Sequence, residues 1–126
     1  MKYLCLAYEQ EKTLNDLSEA QWDALRRETV TYVEKLTEEG HHVFSAALES
    51  VDTSTTVRVR NGHLSTTDGP FAETREQLGG IILIEAADLD AAIEIAAGWP
   101  SARFGSIEVR PILERLREGS RYGRSG

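Results

Sequence analysis

Most of the groups that could carry chemistry lie in one fifteen-residue stretch, Thr66-Thr67-Asp68-Gly69-Pro70-Phe71-Ala72-Glu73-Thr74-Arg75-Glu76-Gln77-Leu78-Gly79-Gly80. It runs between two strand-like segments, and a connection this long and polar in a small domain usually carries function. Asp68 opens an Asp-Gly-Pro turn, because Asp bonds its own backbone, Gly accepts unusual dihedrals and Pro fixes the next step. One reading is a tight turn plugged by Phe71. The other is a turn that aims Asp68 into a cleft as an acceptor or general base. A base there needs burial or a like charge to raise its pKa toward neutrality, and Glu73 and Glu76 are the candidate neighbours. Arg75 can clamp a substrate carboxylate or phosphate with its planar fork, or pair locally and hold Asp68 ionised.

Thr29 is the second point of interest. It falls on an apolar helical stripe, four residues after Leu25 and four before Val33, so its side chain faces the sheet, unless its hydroxyl bonds back to its own helix. His41 and His42 are adjacent, and on a strand they point to opposite faces and cannot chelate one metal together. They and His63 read as isolated surface histidines. No zinc-type spacing, nucleophile elbow, phosphate loop or dinucleotide fingerprint occurs, so no metal or cofactor is expected. Cys5 lies in an apolar run and reads as a small buried hydrophobe. Glu108 and Arg110 share a strand face and can either pair across a sheet with Arg58 or Arg60 and lock a dimer, the preferred reading, or line the cleft.

These residues need a scaffold. Lys2 to Tyr8 predicts a first strand, apolar enough to be buried on both faces, and Glu9 to Asn15 a polar connection. Ser18 with Gln21 forms a capping box and Leu17 with Trp22 a staple. Trp22, Leu25, Thr29, Tyr32, Val33 and Leu36 continue the helix to a stop at Gly40. His42 to Leu48 is a second strand and Glu49 to Thr55 a loop. Thr56 to Arg60 alternates Val with Arg as a half-buried strand, Asn61-Gly62 turns a hairpin, and His63 to Thr67 returns. Leu78 to Ala86 is a buried strand whose Gly79-Gly80 admits close approach. Asp88 caps a second helix over Leu89 to Gly98, with Leu89, Ala92, Ile93 and Ala96 inward. Ile107 to Leu113 is the last strand. The order is α+β: a ferredoxin-like βαββαβ unit with an inserted β-hairpin. Helices on one sheet face leave the other bare, which predicts a homodimer packed sheet to sheet.

The bulk properties narrow the function classes. At 126 residues the chain is one domain, read as residues 1–113 with a C-terminal tail over 114–126. Fourteen Lys and Arg against 21 Asp and Glu give a net charge of −7, which argues against nucleic acid or an anionic membrane as partner. No apolar run approaches the roughly 20 residues of a membrane span. The first strand is too short for a signal-peptide core. With its single cysteine, the chain reads as cytoplasmic.

The stretch Thr67-Asp68-Gly69-Pro70-Phe71-Ala72-Glu73-Thr74-Arg75-Glu76-Gln77-Leu78-Gly79-Gly80 resembles the signature of the YCII-related family in its DGPF-type branch. Met1-Lys2-Tyr3-Leu4, Thr56-Val57-Arg58-Val59-Arg60, Asp88-Leu89-Asp90-Ala91-Ala92 and Glu108-Val109-Arg110-Pro111 resemble that branch too. The resemblance implies a dimeric α+β barrel, a cytoplasmic bacterial protein and pairing with an extracytoplasmic-function sigma factor. Some relatives carry a His–Asp pair proposed to be catalytic, with the His on the first helix. Thr29 holds that position here, so the mechanism does not transfer directly.

Two functional readings follow. In one, each subunit binds a small molecule between sheet and first helix, with Thr29, Asp68, Phe71, Glu73 and Arg75 as ligand-binding residues, and associates with a sigma factor without catalysis. In the other the same cleft is an enzyme site of lyase, isomerase or hydrolase type, with Asp68 as general base and Arg75 as anion clamp.

Overall fold

The structure, a computed structural model, describes residues 1–114. Six strands form, β1 (Lys2–Glu9), β2 (His42–Ala47), β3 (Thr55–Arg60), β4 (His63–Asp68), β5 (Gln77–Glu85) and β6 (Ser106–Pro111), with helices α1 (Glu11–Asn15), α2 (Glu19–Glu38) and α3 (Leu89–Ala97). Four strands make one antiparallel sheet in the order β2-β5-β1-β6. This is an α+β arrangement consistent with a ferredoxin-like fold. β3 and β4 pair only with each other, in a separate two-stranded sheet. Their turn places Asn61 at φ 52 and Gly62 at φ 77, left-handed positions that an Asn-Gly pair fills at low cost.

Register fixes which side chains share a face. On the helix side, His42, Ile84, Tyr3 and Pro111 form one row, Ser45, Ile82, Cys5 and Val109 the next, and Ala47, Gly80, Ala7 and Ile107 the third. Tyr3, Cys5, Ala7, Ile82 and Ile84 from these rows are buried and join Leu36, Ala92, Ile95 and Ala96 in the core. Phe44, Leu83, Leu4 and Arg110 align on the opposite face, as do Ala46, Ile81, Leu6 and Glu108. β1 is therefore not buried on both faces: it alternates, because no helix among the described residues covers its second side.

α2 begins at the Ser18 capping box: Gln21 N–H donates to Ser18 Oγ at 3.1 Å and Ser18 N–H to Gln21 Oε1 at 2.8 Å. It ends before Gly40, whose φ of 79 suits glycine. α3 starts at Asp88, whose carboxylate accepts from Ala91 N–H at 2.9 Å.

Four sequence expectations change. The connection after β1 is not wholly irregular, since Glu11–Asn15 forms α1. Within Glu49 to Thr55, Val51–Thr53 forms a 3₁₀ turn. The hairpin valines are the exposed partners in their strand, Val57 at 60% and Val59 at 59%, while Thr56 and Arg58 are half-buried. On α3 the buried residues are Ala92, Ile95 and Ala96, whereas Leu89 and Ile93 are exposed. A short alanine-rich helix carries two overlapping stripes, and packing on the sheet selects the one with the smaller side chains. Glu108 and Arg110 pair with each other along β6. Beyond Glu114 the tail lies outside the described residues.

Candidate functional site

The principal cavity, about 500 Å³, exists because α2 is seated at one end only. Leu36, near the C-terminus of α2, is its one fully buried residue among twenty. Toward the N-terminus the sheet offers only the small row Ala47, Gly80 and Ala7. The register of β1 on β5 steps from Ala7–Gly80 to Tyr8–Leu78, so Gly79 is the extra residue of a β-bulge. Small side chains over a bulged floor cannot fill the space under a helix, and a hollow results. Trp22, Leu25, Thr29 and Val33 of α2 roof it, and Trp99 and Phe104 close one side.

Part of the lining is polar. Glu9 Oε1 accepts from Ser101 Oγ at 2.5 Å, and its other oxygen lies 3.4 Å from where a Cβ on Gly79 would stand. The Glu9 carboxylate thus packs against the bulge at ordinary contact distance. Glu11 is a clip: it accepts from Ser50 Oγ at 3.0 Å and from Val51 N–H at 2.8 Å. Gln77 Oε1 accepts from Glu11 N–H at 3.0 Å, fixing the start of α1 to β5. Arg26, which also lines the cavity, donates to Asp23 at 2.5 Å and lies over the Trp22 ring at 5.7 Å. Within the floor, Ser45 Oγ stands 2.8 Å from His42 Nε2. Cys5, beyond Ile82 in the same row, is buried, and burial pushes its thiol up to about 11. A mostly apolar chamber whose lining includes two carboxylates and a guanidinium suits an organic molecule with an apolar body and a polar end.

Of the residues singled out from the sequence, Thr29 lines this cavity. Its hydroxyl donates to Leu25 O at 2.9 Å, so it turns a methyl rather than a free hydroxyl to a ligand. One protomer does not bring the others to Thr29. Asp68 ends β4 with an exposed side chain. Its turn is held by the backbone: Gly69, at φ 110, donates its N–H to Ser54 O at 2.8 Å, and Thr56 Oγ1 donates to Gly69 O at 2.9 Å. Phe71 is 81% exposed rather than a plug. The Arg58 guanidinium lies 5.8 Å from its ring centre, and Phe71 edges a separate hollow of about 540 Å³ with Leu48, Val51, Pro70 and Leu78. Glu73 and Arg75 are exposed. Among the described residues Arg75 forms no ion pair within 4.0 Å, so the expected local pairing with Asp68 is absent in one chain. Glu76 turns away to accept from Ser106 Oγ at 2.8 Å.

His41 and His42 are not lone surface groups, whereas His63 is exposed as expected. His41 Nδ1–H donates to Glu85 O at 2.9 Å, and His42 meets Ser45; both rings are half-buried. Sequence reasoning missed Glu9, Glu11, Ser45, Gln77 and Ser101 as cavity residues. Gly79-Gly80 was the available signal, since it marks where the sheet irregularity opens the floor.

Among the described residues no group of three His, Cys, Asp or Glu side chains could hold a metal ion, and no helix is long and apolar enough to cross a membrane. Comparison with known proteins gives two matches. An uncharacterized protein of Rhizobium meliloti (strain 1021) is 35% identical over 114 residues, covering 89% of this chain and 92% of that protein. The YCII-related domain matches residues 1–115. Residues 1–115 include the whole sheet, the helices that cover it and the cavity between them, and on that extent the chain belongs to the YCII-related family.

Proposed function

We propose that this protein is a homodimeric small-molecule-binding member of the YCII-related family, of the DGPF-type branch, whose ligand occupies the cavity under α2. The observation that carries the reading is the cavity: about 500 Å³, with a mostly apolar lining that includes a few charged and polar side chains, the size and character of ligand sites generally. Its roof of Trp22 and Leu25 and its side wall of Trp99 select an apolar, partly aromatic ligand body. Glu9, Glu11 and Arg26 meet the polar end.

A thermal-shift screen of small aromatic acids, amines and esters tests this. At least one class raises the melting temperature with saturable dependence on concentration. Ala47→Leu, which builds side chain into the hollow from its floor, removes the shift while leaving the far-ultraviolet circular dichroism intact. Silence across the panel, or an undiminished shift in Ala47→Leu, excludes the cavity as the site.

The partner is a second copy, and the assembly a dimeric α+β barrel in which the hairpin of each chain reaches the other. Support comes from the uncovered sheet face and from Val57, Val59, Leu64 and Phe71, all exposed on and after the hairpin. Within that dimer Asp68, Phe71, Glu73 and Arg75 contribute to the ligand site from across the interface. An enzymatic version of the reading uses Asp68 as general base, and there Asp68→Asn abolishes turnover while sparing binding. A cytoplasmic association with an extracytoplasmic-function sigma factor rests on the resemblance of the Asp68 motif and on the charged outer face of α2, where Glu34 and Glu38 are exposed.

A further inference from the structure

Ser45 is the cavity residue whose hydroxyl meets an imidazole. It lines the chamber on β2, and its Oγ lies 2.8 Å from His42 Nε2. Two residues three apart do not normally share a strand face, since faces alternate with period two. Here the register of β2 on β5 shifts between His42 and Phe44, so His42 aligns with Ile84 and Ser45 with Ile82, both buried core residues. The irregularity therefore turns both side chains to the helix side of the sheet and sets them in adjacent rows. His41 provides the contrast. Its Nδ1–H is committed to the Glu85 carbonyl, a structural bond, whereas the His42 nitrogen is spent on a hydroxyl that borders empty space. When the His42 proton sits on Nδ1, Nε2 accepts from Ser45 O–H, the arrangement of a nucleophile beside its base.

From this geometry we propose that Ser45 is a nucleophile activated by His42, acting on small carboxylic esters with an apolar acyl or aryl part held in the cavity. The inference rests on the cavity being the ligand site. The chemistry closes on groups present and on water. Ser45 Oγ bonds to the ester carbonyl carbon while its proton passes to His42 Nε2. The ester C–O bond breaks, and the departing alkoxide takes that proton from His42. A water molecule, deprotonated by His42, then attacks the acyl carbon; the acyl–Oγ bond breaks, Oγ takes the proton back, and the carboxylic acid leaves. Thr29 and Val33 of α2 roof the chamber above the β-sheet floor that carries Ser45, so the apolar part of the ester packs there. Cys5, two strands from Ser45 with Ile82 between them, does not line the cavity and keeps its proton, which leaves the hydroxyl as the group that faces substrate. Among the described residues no carboxylate hydrogen-bonds to His42, so no third group stabilises the imidazolium as in a full triad. Acylation is the readable step rather than rapid turnover.

The test uses a dialkyl fluorophosphonate, on which Oγ–P forms, P–F breaks and fluoride departs as the proton moves to His42. Intact-mass analysis of the full chain is expected to show one adduct per chain, and peptide mapping of the wild-type protein places it on Ser45. Ser45→Ala removes the adduct, and His42→Gln slows labelling about a hundredfold, within the range of general-base contributions. The wild-type map alone decides the matter if a variant fails to fold. No adduct under excess probe, an adduct on another residue, or unchanged labelling in folded His42→Gln overturns the dyad. The thermal-shift ligand panel run on the same wild-type sample separates the two claims: ligand binding without an adduct refutes the dyad alone, and absence of both refutes the cavity reading as well.

Discussion

Gly105 stands just before β6, where the chain comes alongside β1, and its size is set by that approach. A Cβ there would lie 2.1 Å from the Tyr8 carbonyl oxygen and 3.2 Å from Glu9 Cγ. The first of these is backbone and cannot swing aside. Gly105 N–H also donates to Ser101 O at 2.8 Å, so retreat in the other direction breaks the 3₁₀ turn Pro100–Arg103 that walls the cavity. Gly105→Ala is therefore expected to cost about 3 kcal/mol, at the upper end of overpacking penalties, read as a lowered midpoint in urea denaturation. An unchanged midpoint would mean that β1 and the turn are looser than their spacing implies. Cys5 makes the opposite point at the same scale, since a side chain with reactive potential is held inert. Burial raises its thiol to about 11, and thiolate is the nucleophilic form. The native protein is expected to resist alkylation at pH 8 and to react at once in denaturant; rapid native alkylation followed by mass spectrometry would contradict the packing of the core row.

α2 is an element anchored at its C-terminal end and latched near its middle. The anchor is Leu36 in the core, with Tyr32 donating to Ile95 O at 2.6 Å and meeting the Trp99 ring edge-on at 5.8 Å. The latch is Arg103, whose two terminal nitrogens donate to both Glu28 oxygens at 2.6 and 2.8 Å. The Arg103 hydrogen bond holds the Glu28 carboxyl below its ordinary 4.5. A depressed carboxyl pKa stabilises the folded chain above the ordinary value and loses that contribution as pH falls through the lowered one. Glu28→Gln is thus expected to lower the melting temperature slightly at pH 7 and to speed amide exchange in the N-terminal half of α2. The difference from wild type disappears as the pH falls below the lowered Glu28 value, and a difference that persists once the carboxyl is fully protonated would assign the effect to something other than the ion pair. The start of this helix was legible in the sequence because a capping box is written in four consecutive residues, and the Asn61-Gly62 turn was legible for the same reason. The cavity was not. It depends on Ala47, Gly80 and Ala7 meeting across three strands and on a bulge at Gly79, and register of that kind is set by tertiary pairing. Thr29 was correctly assigned to the sheet-facing stripe, but the direction of its hydroxyl is decided by a local bond that competes with any ligand. Asp68 and Arg75 looked like partners because they are close in sequence. The turn at Gly69 instead leaves both exposed, with its backbone bonds already satisfied through Ser54 and Thr56.

At the scale of the molecule the question is what covers the second sheet face. Leu4, Leu83 and Phe44 form an apolar row there, Leu6, Ile81 and Ala46 another, with Arg110 and Glu108 at the β6 edge. Four strands of this kind supply a patch comparable with the roughly 800 Å² that each partner contributes to a stable interface. A second copy fits such a face because a two-fold axis brings each row onto itself and sets the charged β6 edges at the rim. Light scattering after size exclusion is expected to give twice the chain mass of 14.0 kDa. Leu6→Lys places an ammonium near the centre of the patch in both copies at once, where it meets apolar surface and its own image rather than a carboxylate. Such a substitution raises the dimer dissociation constant by well over tenfold, since an unpaired buried charge costs several kcal/mol, while the helix-side core, which Leu6 does not enter, keeps each chain folded. A control at Val30, exposed on α2 across the sheet from this patch, leaves association unchanged when replaced by Lys. If the wild-type chain remains a monomer at high micromolar concentration, the sheet face is left to another partner, and Asp68 and Arg75 then have no second chain to bring them to a cavity.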